Sequence, residues 1–149
     1  MLRELLAGAG LLILVGAVIV RWPSLPPQVP QHFSWSGIPN STGPKSALLI
    51  LPALAIVFYL GLTFLARFPQ SFNYPVKITE LNRSAVERLG VSLVGWLKVV
   101  LIWIFAGLTI AVLQVSTGRA SALNPVFTLT AVGAVAITII VFWRRMRAA

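Results

Sequence analysis

Four long apolar runs, separated by three polar connections, organise this chain. The first covers Leu5 to Val20, with Arg3 and Glu4 before it and Arg21 and Trp22 after it. As a helix this run reaches about 24 Å, short of the roughly 30 Å hydrocarbon core of a bilayer. A snorkelling Arg21 and an interfacial Trp22 close the gap, so the expected span is 4–22. Val18-Ile19-Val20-Arg21 offers no small-x-small cleavage site, which favours a retained helix over a signal peptide. The second run, 46–66, carries no charge and contains Pro52, where a kink is expected. The third, 91–115, is interrupted by Lys98, which is read as snorkelling towards the near face of the membrane. The fourth, 126–143, stops at Arg144, Arg145 and Arg147. Thr130, Ala134 and Thr138 on it, and Gly107 and Ala111 on the third, put small residues on one face each, as a tight helix pair needs.

The connections differ in character. Residues 22–45 hold Pro23, Pro26, Pro27, Pro30, Pro39 and Pro44, which exclude a helix or a central strand. With Trp22, Trp35, Gly37 and Gly43 added, an ordered cap loop is expected rather than a slack linker. In the second connection Ile78, Leu81, Ala85 and Leu89 recur at helical spacing behind Thr79, a plausible N-cap. This predicts an amphipathic segment over 78–90, lying on the membrane surface and running into the third span. Residues 116–125 carry the turn chemistry of Gly118 and Asn124-Pro125.

Composition agrees with spans rather than with a soluble core: of 149 residues, 58% are hydrophobic and only 10% charged. The net charge of +9 sits at the ends of the apolar runs and forms no aromatic-laced patch, which argues against nucleic acid. Eight basic residues fall on the side of the two termini and three (Arg21, Lys45 and Arg119) on the side of the cap, with Lys98 making the twelfth. The positive-inside rule then places both termini in the cytoplasm and the cap outside. Without cysteine there is no disulfide, thiol catalysis or thiolate metal site.

Chemistry is sparse. The three carboxylates, Glu4, Glu80 and Glu87, lie on the opposite side from His32, the single histidine, which leaves neither a catalytic set nor a metal set. No enzyme activity, cofactor or metal is expected. His32 has two readings, a loop histidine bonded to backbone or a member of a binding surface. On the second reading the binding residues are His32, Phe33, Trp35, Gly37, Asn40 and Lys45.

The run L-P-P-Q-V-P-Q-H-F-S-W-S-G-I-P-N followed by G-P-K resembles the signature of a bacterial membrane domain of unknown function, DUF1648, at Leu25, Pro26, Pro30, His32, Phe33, Gly37, Gly43 and Lys45. The stretch Asn73 to Arg83 is similar to a second recurrent segment of such proteins. Asn40 stands where that family often has Asp, and Pro27 where an acidic residue is frequent, so charges that could pair with Lys45 are missing. The resemblance extends to SdpI-type immunity proteins, larger membrane proteins that protect a bacterium from its own secreted toxin, and it implies a bacterial inner-membrane location.

The expected fold is therefore an all-α, four-transmembrane-helix bundle forming one domain over 1–149, with an outer proline-rich cap and an inner amphipathic helix. The expected function is non-catalytic recognition of an extracellular factor or toxin through the cap, in an immunity or signalling role. The alternative is an accessory subunit of a larger membrane complex. Expected partners are the lipid bilayer, a secreted peptide or another membrane protein, or a second copy, and no nucleic acid.

Overall fold

A computed structural model describes all residues from Met1 to Ala149. Its helices are α1 (Leu2–Arg21), α2 (Ile50–Leu65), α3 (Arg83–Ser116) and α4 (Pro125–Arg147). Each is long and apolar enough to cross a membrane, α2 together with the 3₁₀ turn Lys45–Leu49 that leads into it. The chain is a multi-pass membrane protein. The four expected spans lie within these helical stretches to within a residue or two, and α3 extends furthest beyond its expected limits.

α3 is the spine: α1, α2 and α4 all pack on it, while α1 and α2 touch each other little and α4 has no other substantial helix neighbour. Leu14 of α1, Ala55 of α2, and Ile102 and Ala106 of α3 bury the middle of the bundle. Gly107 gives α4 its approach, since a Cβ there would lie 2.5 Å from the Phe127 ring. Thr130 and Ala134 line a shallow groove along the same seam. Pro52 falls in the first turn of α2, just after the 3₁₀ turn that leads into it, so the donor it lacks is missed only at the entry end of the span.

The cap is not a loop. Gln28–Phe33 (β1) and Pro39–Pro44 (β2) form an antiparallel hairpin, with Val29 opposite Gly43 and register breaks on either side of His32. Proline is tolerated because both strands of a two-stranded sheet are edges. Val29 joins Leu25, Leu48, Val18, Val112 and Leu113 in a core that seats the hairpin on α1 and α3.

The inner amphipathic segment also differs from expectation. Helix begins at Arg83 and runs without a break into the span. Before it, the Thr79 N–H donates to Asn82 Oδ1 at 2.9 Å and the Asn82 N–H to Thr79 Oγ1 at 3.3 Å. These side chains close a turn that competes with helix, which explains the later start. Leu81, expected on the apolar face, is 97% exposed; the buried face is built around Val86, with Tyr74, Val76, Ile78 and Leu89 packed against it together with Phe142 and Met146 of α4.

Candidate functional site

The hairpin tip is a tight turn. The Ser34 N–H donates to Ile38 O and the Gly37 N–H to Ser34 O, both at 2.8 Å, while the Ser34 and Ser36 hydroxyls lie 2.9 Å apart. Gly37 has φ +79°, a left-handed conformation that glycine adopts freely. Its carbonyl accepts the Leu123 N–H at 2.8 Å, and a Cβ at Gly37 would lie 2.0 Å from Leu123 O. Only glycine fits at that approach. The tip is thus fastened to the connection between α3 and α4.

This fastening creates a groove of about 780 Å³ between the hairpin and the start of α4. His32, Phe33, Ser34, Trp35, Gly37 and Asn40 line one wall; Leu123, Pro125, Thr128 and Leu129 line the other. His32 and Asn40 are exposed, Phe33 is half-buried and Trp35 is 101% exposed, so its indole packs on nothing. Lys45 does not join them. Its N–H donates to Pro27 O at 3.0 Å, and its ammonium sits 5.0 Å from the centre of the Trp22 ring. The six expected binding residues therefore separate into five at the groove and one that braces the base of the cap. The opposite wall is not legible in the sequence. Asn124-Pro125 marks the start of α4, with Asn124 Oδ1 capping Val126 N–H at 2.9 Å, but nothing local says the hairpin will reach it.

A second polar cluster lies between the spans. Lys98 does not snorkel: its side chain is 2% exposed, and Nζ donates to Glu4 Oε1 at 2.6 Å, to Glu4 Oε2 at 2.7 Å and to Thr63 Oγ1 at 2.8 Å. The Tyr59 hydroxyl donates to Glu4 Oε2 at 3.2 Å, and its ring lies 4.8 Å from the ammonium. A lysine taken out of water needs such partners, and here α1 supplies Glu4 while α2 supplies Tyr59 and Thr63. The only sequence signal is one acid ahead of the first run and one lysine inside the third, in a chain with so few charges. Arg3 packs its guanidinium against Gly95, and its buried Nη1 has no partner. No three His, Cys, Asp or Glu side chains converge anywhere.

Residues 9–56 match DUF1648, a domain of unknown function. The match takes in most of α1, the whole hairpin and the first turns of α2. All six expected binding residues lie inside it, whereas Leu123 to Leu129, Glu4 and Lys98 lie outside. The chain is also 32% identical over 78 residues to an uncharacterized protein of Archaeoglobus fulgidus, a match covering 47% of this chain and 43% of that relative. The chain thus spans less than half the length of the curated relative it matches. No solved structure matches it.

Proposed function

We propose that this is a non-catalytic, SdpI-like bacterial membrane protein that captures a secreted peptide or toxin in the groove between the hairpin and α4. The observation that carries the reading is the unpacked Trp35 beside His32 and Asn40 on a hairpin fixed at both base and tip. A rigid turn that presents a bare indole has little ordering entropy left to lose on binding. Tyrosine, tryptophan and arginine anchors dominate binding energy where they become fully desolvated. The cap faces outside by the distribution of basic residues, and binding there would sequester the factor before it acts on the membrane.

The test is survival of cells carrying the protein when they are exposed to a toxin-secreting strain. Trp35→Ala and Asn40→Ala are expected to abolish protection at unchanged membrane levels, and Lys45→Gln to preserve it. Full protection by the Trp35→Ala variant would overturn the reading. A second reading, an accessory subunit, draws on α4, which leaves nearly all of its membrane segment uncovered by the rest of the chain. Stoichiometric co-purification with a larger assembly after gentle detergent extraction would favour it.

A further inference from the structure

On the cap side of the bundle, away from the hairpin groove, a cleft of about 390 Å³ opens between the C-terminal ends of α1 and α3. Two of the three cap-side cations, Arg21 and Arg119, line it. Arg21 is the last residue of α1. Arg119 is placed by the turn that ends α3, where Gly118 at φ +70° lets the Arg119 N–H return to Gln114 O at 2.8 Å. Neither arginine has an acidic partner, because the ion pairs of the molecule are Arg83–Glu87 and Lys98–Glu4, both towards the other end. Two helix C-termini contribute roughly half a negative charge each, against two full positive charges, so the cleft keeps a net positive field of about one charge. Below the arginines the walls turn apolar at Ile13 and Val20, and Gly16 leaves open space where a side chain would stand.

A cationic mouth above an apolar furrow, set where two spans end, complements one kind of molecule. We propose that this cleft holds an anionic phospholipid of the cap-side leaflet, its phosphate between Arg21 and Arg119 and one acyl chain along Gly16. Arginine suits the phosphate because its planar fork offers paired donors. The apolar furrow distinguishes this occupant from free phosphate or the carboxylate of a peptide, neither of which has a chain to lay in it.

The chain has no cysteine, so Ala120→Cys gives one attachment point for a fluorophore beside the cleft. The labelled protein, in phosphatidylcholine nanodiscs, is titrated with nitroxide-bearing phosphatidylglycerol or with nitroxide-bearing phosphatidylcholine. Quenching by the anionic lipid is expected at concentrations lower by on the order of tenfold, the scale for two basic residues near a membrane surface. Unlabelled phosphatidylglycerol should reverse it and inorganic phosphate should not. Arg21→Gln with Arg119→Gln should erase the preference, and Gly16→Leu should weaken binding with both charges kept. Lys45→Gln, which lies outside the cleft, should change nothing, and circular dichroism should report helix content in each variant. Equal quenching by the two lipids, a preference that survives the double arginine change in folded protein, or displacement by inorganic phosphate would each overturn the proposal.

Discussion

Lys98 carries a full positive charge to the junction of α1, α2 and α3, and the two partners of its ion pair are unequally covered. The ammonium is 2% exposed and the Glu4 carboxylate 53%. Removing the carboxylate strands a buried cation, whereas removing the cation leaves an acid that still reaches solvent or headgroups. Glu4→Ala is therefore expected to cost about 3 kcal/mol, the lower end for breaking a buried pair, and Lys98→Met distinctly less. Combining them should recover much of the loss, because no unpaired charge then remains buried. Denaturation in mixed micelles measures all three, and a Lys98→Met variant less stable than Glu4→Ala would contradict this ordering. The sequence contains both residues but no indication of which helices meet. Taken along the chain, Lys98 therefore resembles an isolated charge seeking the membrane surface, whereas the fold brings its partners to it.

Individual elements are legible to different degrees. The spans are plain, since a chain in water has few ways to hide so long an uninterrupted apolar run. The hairpin is hidden by Pro30, Pro39 and Pro44, which argue against strand everywhere except on an edge, and in a sheet this small every strand is an edge. Gly37→Ala should cost about 1–2 kcal/mol in backbone strain alone. The clash with Leu123 should also detach the tip, which would appear as rapid proteolysis between Ser34 and Ile38 in an otherwise folded protein. The turn before α3 escapes the pattern because the period of Ile78, Leu81, Ala85 and Leu89 points to helix, while Thr79 and Asn82 bond each other's backbone first. Beside that turn, Tyr74 donates to Pro69 O at 2.8 Å, and burial, aided by the negative charge of Glu87, raises its pKa above the ordinary value of about 10. A raised pKa keeps the native hydroxyl protonated when the unfolded one has ionised. Its contribution is whole below pH 10 and is lost as pH climbs towards the raised value. Tyr74→Phe should flatten the fall in stability above pH 10, as followed by alkaline denaturation.

At the scale of the whole molecule, one helix bears the packing of the other three, and among the helices α4 packs on α3 alone. Gly107→Leu, whose side chain would occupy the position of the Phe127 ring, is expected to push α4 away while α1, α2 and the Lys98 cluster stay assembled. Cysteine cross-links placed across each pair of helices would separate the two effects: loss confined to the α3–α4 pair supports the spine arrangement, and loss at every pair contradicts it. The groove beneath the hairpin shares this dependence, since its far wall belongs to α4. The bond from Leu123 to Gly37 therefore also sets an order of manufacture. A ribosome delivers the hairpin early and its anchor late, so during synthesis the tip waits unfastened until Leu123 follows α3 out to the cap side. The groove comes into being only once α4 is in place, and a chain cut before Pro125 lacks most of its far wall.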